Sequence, residues 1–195
     1  MTLSILAGMM IALGGVVNLQ LGGVAGAIFF AVGLLTILQF KMELFTGKAG
    51  LLATNEIEFD DLVRIWIGNF IGCFIVALCL YITPLGAVLY ESAQTIVALR
   101  IANGPIANLM YGIFCGMMMY IAVTGYSKSQ NVIFVFVPVA VFILSGFNHC
   151  VADMFYMLMG ANTIEGFGTL IPSTIGNVIG AYSLSGSLQW ATHHQ

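Results

Sequence analysis

Long apolar runs separated by short polar breaks organise this chain. Six apolar segments fall near residues 3–19, 24–44, 63–83, 106–125, 131–146 and 170–190. Shorter apolar pieces, 48–54 and 150–160, follow the second and the fifth. A helix needs about 20 apolar residues to cross a bilayer, so the pattern predicts six transmembrane helices. The polar breaks predict the loops: "NEIEFDDLVR" (55–64), "YESAQTIVALRIANGP" (90–105), "YSKSQN" (126–131) and "GANTIEGFG" (160–168), with "WATHHQ" as a short solvated end.

Composition supports a membrane solvent. Of 195 residues, 60% are hydrophobic and 7% charged, and no charge precedes Lys41; a soluble domain carries roughly 25% charged residues. The mean hydropathy is +1.03. The start lacks the basic flank of a secretory signal peptide. With a net charge of -3 and no basic stripe, nucleic acid is excluded as a partner and membrane lipid is the expected one. Cys73, Cys79, Cys115 and Cys150 lie in apolar segments without zinc-ligand spacing and read as small core side chains, so no metal or cofactor is expected.

An even number of crossings puts both termini on one side with the 48–64 and 126–131 loops. Those loops carry Lys48, Arg64 and Lys128, and the other side carries Arg100. The positive-inside tendency makes the termini cytoplasmic.

Two interruptions occupy corresponding places. "KMELFTGKAG" (41–50) and "SGFNHCVAD" (145–153) each fall between the second and third crossings of a half and put glycine, polar groups and charge into an apolar run. Paired interruptions point to a transporter site between inverted repeats, here about 3–83 and 106–190. Irregular backbone cannot face lipid, so the breaks should meet inside the bundle around a cavity. Half-helix N-termini there suit an anion.

"LFTGKAG" followed by "SGFNHCVADM" resembles the formate/nitrite transporter family, whose members carry LFTG in the second crossing and a Gly-Phe-Glu-His-x-x-Ala-Asn-like stretch in the fifth. The resemblance covers almost the whole chain. It implies an all-α, aquaporin-like fold of six transmembrane helices, with the second and fifth broken. It also implies a homopentamer with one pore per protomer in a prokaryotic cytoplasmic (inner) membrane. The implied activity is passage of small monovalent anions such as formate, nitrite, hydrosulfide or lactate, without enzymatic chemistry. Leu44, Phe45 and Thr46 match the family's mobile loop. Leu34 and Phe30 match its cytoplasmic constriction, and Phe142 the periplasmic one. His149 matches the central histidine, and Arg100 a basic residue at the outer vestibule. The sequence departs from the pattern at Asn148, where glutamate is usual, at Asp153, where asparagine is usual, and at Gly116. Lys41 is an unusual charge, and the family's amphipathic N-terminal helix is expected to be missing.

Individual residues keep two readings. His149 is a pore residue or a core histidine. Asp153, at i+4, orients His149 or pairs with Lys41, whose partner is otherwise Glu43. Thr46 touches substrate or caps the half-helix at 47–54. Met119 faces the pore or packs. Gly14, Gly15, Gly22, Gly23 and Gly26, with "GNFIGCF" (68–74) and "TIGNVIGAY" (174–182), suggest close helix contacts. An anion loses its water at a narrow apolar ring at large cost, whereas a neutral acid loses far less. Arg100 would gather anions at the mouth, and the loop with His149 would favour their protonation. Formate is the first choice. Two other classes stay open. One is a membrane enzyme with His149, Asp153 and Cys150 as metal ligands; the other is a neutral-solute pore, against which stands the lack of paired Asn-Pro-Ala loops.

Overall fold

The computed structural model describes residues 1–160 and 163–194. Ala161 and Asn162 of the 160–168 break and Gln195 of the tail lie outside the described residues. The elements are α1 (Thr2–Leu21), α2 (Gly23–Gln39) and α3 (Phe45–Lys48), which a 3₁₀ turn continues (Ala49–Thr54). Next come α4 (Phe59–Tyr81), α5 (Pro84–Ser129), α6 (Ile133–Leu144), α7 (Cys150–Gly160), α8 (Ile164–Gly168) and α9 (Leu170–His193). The architecture is all-helical, as expected. By length and composition α1, α4 and α5 can each cross a membrane, and α2, α6 and α7 are shorter apolar helices.

One expectation fails outright. Residues 90–105 are not a loop, because α5 starts at Pro84 and bends only at Gly104 (φ 72, ψ 174) and Pro105. Leu89, Ala93, Val97 and Arg100 are buried, while Glu91 and Gln94 are exposed. That spacing is one face of an amphipathic helix, and its polar outer face lowered the hydropathy enough to read as a loop. The tail also stays helical through His193, with Trp190 stacked on His194.

Glycines set the helix pairs. α1 lies on α4, and the second arm of α5 lies on α9. A Cβ on Gly8 would collide with the Asn69 carbonyl, and one on Gly72 with the Ile5 carbonyl; Gly116 and Gly180 meet the carbonyls of Asn177 and Ile113 in the same way. Gly14 and Gly26 also sit against neighbouring backbone. Gly22 and Gly23 do not: both have positive φ and nothing beside them, and they make the α1–α2 turn. The outer surface is apolar, with Ile28, Phe29, Ile67, Ile71, Phe74, Ile175 and Ile179 exposed. Polar groups are inside: Asn69, Asn108, Asn148, His149, Asp153 and Asn177 are each at most 1% exposed.

Both broken helices end with the same backbone motif. After α2, Lys41 adopts φ 51 and donates to Leu38, while Met42 donates to Ile37. After α6, Gly146 adopts φ 71 and donates to Ile143, while Phe147 donates to Phe142. This is the Schellman ending, with its left-handed residue one place past the cap. Lys41 is thus an exposed turn residue, far from the role of partner to Asp153.

Two asparagines then hold the re-entering segments. Asn69 Oδ1 accepts the Phe45 N–H at 2.9 Å, while its Nδ2 donates to the carbonyls of Ser4 (2.7 Å) and Glu43 (2.9 Å). Asn177 Oδ1 accepts the Cys150 N–H at 2.9 Å, while its Nδ2 donates to the carbonyls of Gly112 (2.8 Å) and Asn148 (2.7 Å). Each asparagine joins the first residue of a half-helix, the residue two before it and the first helix of its half.

Two stability outcomes follow from these ends. A lysine in the left-handed region costs about 1 kcal/mol relative to glycine, so Lys41→Gly should raise the thermal unfolding midpoint in detergent and Gly146→Ala should lower it; a lower midpoint for Lys41→Gly contradicts the assignment. Asn177→Ala orphans a buried N–H and two carbonyls, a loss of about 3 kcal/mol in all. An unchanged midpoint for that variant would remove the clamp from the account.

Candidate functional site

His149 is the last residue before α7 and is 1% exposed. Its ring is fixed from three directions. The Ala152 N–H donates to Nδ1 at 3.1 Å. An accepting Nδ1 leaves the proton of the neutral ring on Nε2, which lies 2.8 Å from Thr46 Oγ1. Nε2–H therefore donates to the Thr46 oxygen, and the hydroxyl proton of Thr46 is left to donate elsewhere. Third, Phe142 stacks on the imidazole with centroids 5.4 Å apart. Thr46 is not the cap of its half-helix: α3 begins at Phe45 without any side-chain cap. The two interruptions thus touch through one hydrogen bond between Thr46 and His149.

A cavity of about 220 Å³ reaches His149, with Arg100, Asp153, Tyr156, Asn18, Phe142 and Phe147 among its walls. It adjoins a shallower depression beside Gly22 and Gly23, sharing Asn18, Ile96 and Ile143 with it. Its mouth is on the face of the α1–α2 turn.

Arg100 is the largest correction to the expected site. It is 9% exposed and does not stand free at a mouth. Its Nε lies 3.3 Å from Asp153 Oδ1, Nη1 donates to the Gly146 carbonyl at 2.8 Å, and Nη2 to the Phe147 carbonyl at 3.4 Å. The guanidinium satisfies backbone that the broken helix leaves open and is charge-balanced by Asp153. Asp153 accordingly takes neither expected partner: both nitrogens of His149 are engaged elsewhere, and Lys41 is on the surface. Asp153 Oδ2 has no hydrogen-bond partner.

The constrictions also rearrange. Phe30 meets Phe142 edge to face at 5.9 Å, so two rings expected at separate constrictions are in contact and form one apolar stop. Leu34 and Leu44 are buried outside the cavity wall, 1% and 2% exposed. Phe45 turns its ring to a lateral groove between α4 and α9, with Phe59, Leu62, Trp66 and Ile175. Met119 packs in the core and does not reach the cavity. The metal-ligand set of His149, Cys150 and Asp153 is not assembled, because both ring nitrogens are taken and Asp153 turns to Arg100. Among the described residues no three His, Cys, Asp or Glu side chains converge.

Asn148 ties the second break to the rest of the half. Its Nδ2 donates to Asn108 Oδ1 and Ser173 Oγ, each at 2.9 Å, and Asn108 in turn donates to the Arg100 carbonyl at 2.7 Å. Tyr156, in the cavity wall, accepts at Oη from Asn18 Nδ2 at 3.0 Å, which leaves its own proton to donate elsewhere. Sequence reasoning missed Asn18, Asn69, Asn108, Tyr156, Ser173 and Asn177. Asn69 and Asn177 did carry a signal: each follows the first glycine of a matched pair, in "GNFIG" and "GNVIG".

Comparison with known proteins gives a consistent answer. The chain is 27% identical over 214 residues to the formate channel FocA of Haemophilus influenzae, covering 84% of this chain and 72% of that one. It is 28% identical over 232 residues to the uncharacterized transporter YrhG of Bacillus subtilis, covering 100% of this chain and 85% of that one. Among solved structures, a pentameric formate channel with formate bound superposes with a TM-score of 0.83 at 23% identity, covering 100% of this chain and 96% of that one. An FNT family ion channel gives 0.84 at 20% identity, covering 97% and 88%. The formate/nitrite transporter family profile matches residues 1–191, and the chain belongs to that family of membrane channels and transporters, which are not enzymes.

Proposed function

We propose that this protein is a channel for small monovalent weak-acid anions, formate first among them, which cross as the neutral acid past His149. The observation that carries this reading is the contact of Phe142, His149 and Thr46. The aromatic stop lies directly against a histidine that reaches the cavity and whose orientation is fixed by Thr46, itself buried behind the cavity wall, and by the Ala152 N–H. A bare anion at the Phe30–Phe142 stop would lose water without compensation, and protonation removes most of that cost. Formate ranks first because several relatives are named formate channels; nitrite and hydrosulfide are the runners-up within the same chemistry.

The same reading takes 3–83 and 106–190 as inverted repeats, supported by the matched asparagine clamps and helix ends. It takes the assembly as a homopentamer, each protomer having its own pore. Support comes from the solved relative described as pentameric and from the apolar groove of Trp66, Phe70, Phe167 and Ile171 on the outer face. It places the protein in a prokaryotic inner membrane with both termini cytoplasmic. Lys48 and Arg64 line one pocket with Met1, and with Lys128 the loop cations outnumber Arg100, which supports this orientation.

Formate uptake into proteoliposomes tests the site. Wild-type uptake should rise as external pH is lowered from neutral. Thr46→Val should cut it by at least about tenfold, the scale of one lost hydrogen bond at a narrow step, while Thr46→Ser retains most of it. His149→Asn, which cannot hold Thr46 and the Ala152 N–H in the same geometry, should lower uptake by a similar factor. Full flux in both Thr46→Val and His149→Asn would overturn the reading. Mass measurement in mild detergent should give five chains per particle; a stable monomer or dimer contradicts the assembly.

A further inference from the structure

We infer that Asp153, a residue of the cavity wall that keeps one carboxylate oxygen unpartnered, is the group that hands the substrate its proton. The inference rests on the weak-acid reading above. Arg100 and Asp153 form a neutral pair, 9% and 1% exposed, in the wall of the cavity that leads to His149. Asp153 Oδ1 is spent on Arg100, and Oδ2 accepts from no protein group. A buried carboxylate oxygen without a donor is costly, and on a residue beside the cavity it is a place for a proton.

Charge counting sets the order of events. The empty pair sums to zero. An anion entering beside it leaves one uncompensated negative charge in a low-dielectric site, next to another carboxylate, and like charges at such range raise the affinity for a proton. Taking one proton from water onto Oδ2 restores neutrality, because Arg100 then balances the anion. The Asp153 O–H bond next breaks as an O–H bond forms on the substrate carboxylate. The site returns to the Arg100–Asp153 pair and the neutral acid is free to move. No electron changes owner, and one proton enters per anion.

His149 is a poor source for that proton. Its Nδ1 is held by the Ala152 N–H, so forming an imidazolium would break that bond, and its Nε2–H is given to Thr46. Among the described residues, these titratable and charged groups lie near Asp153. Arg100 and Cys115 come from α5; His149, Cys150 and Tyr156 lie on or just before its own helix; and Asn18 of α1 holds Tyr156. Tyr156, in the cavity wall, keeps its hydroxyl proton to donate and is placed to steady the anion while Asp153 gives up its own.

The test measures formate and proton uptake together in proteoliposomes, with a trapped pH dye and an imposed membrane potential. Wild type should take up one proton per formate and ignore the potential. Asp153→Asn keeps the shape and a hydrogen bond to Arg100 but cannot carry a proton. Its proton-to-formate ratio should fall below half, its pH profile should flatten, and its uptake should become potential-dependent. Asp153→Glu should restore coupling. If Asp153→Asn does not assemble, the double variant Arg100→Gln with Asp153→Asn leaves no lone buried charge and should likewise lose acceleration by an inward proton gradient. Coupling and pH profile equal to wild type in either neutral variant would overturn the inference, since the acid would then be recruited already protonated from water. Absence of any saturable weak-acid flux in wild type would instead overturn the functional reading on which it rests.

Discussion

Everything at this site depends on one constraint: two helices are broken inside an apolar bundle, and their open backbone groups must find partners within the protein. In hydrocarbon an unpaired N–H or C=O costs several kcal/mol. Asn69 and Asn177 meet that cost with the same three hydrogen bonds each. The asparagines can reach because Gly8 and Gly116 let α4 and α9 come close enough for backbone to touch backbone. Glycine pairing, asparagine clamp and half-helix start are therefore one device, used once in each half. Its product is the meeting of Thr46 with His149.

The charged residues are best understood as part of the same accounting. Arg100 donates to the Gly146 and Phe147 carbonyls, the groups exposed where α6 stops. Its positive charge is then a local surplus, and Asp153 offsets it. The protein thereby keeps a guanidinium beside the route to His149 without leaving a net charge in the membrane. This geometry separates Arg100 from a simple electrostatic funnel, which would need an exposed, unbalanced cation.

Much of the fold was legible because bilayer-crossing helices write themselves in hydropathy, and both interruptions stood out as polar clusters in apolar runs. That the two interruptions meet followed from their matched positions; the contact of Thr46 with His149 within them did not. What hydropathy hid was an amphipathic helix: residues 90–105 carry enough polar groups to look like a loop, although Ala93, Val97 and Arg100 continue a buried face that starts at Leu89. Partner choice was also hidden. Asp153 at i+4 from His149 suggested a histidine partner, but Arg100 comes from a distant helix whose approach no local spacing encodes. Lys41 looked like an intramembrane charge needing a mate, yet its left-handed backbone places it at the surface. Phe30 and Phe142 were expected at separate constrictions, and their contact joins side chains of two different helices, which no local spacing encodes.

The central claim is that the cavity between Phe142, Arg100 and His149 passes small weak acids and little else. Light scattering of proteoliposomes under inward gradients of formate, nitrite, hydrosulfide or glycerol tests it most directly. The account predicts protein-dependent, saturable swelling with at least one of the three anions, formate fastest, and none above empty liposomes with glycerol. Glycerol permeation, or no anion entering faster than in protein-free vesicles, would contradict it.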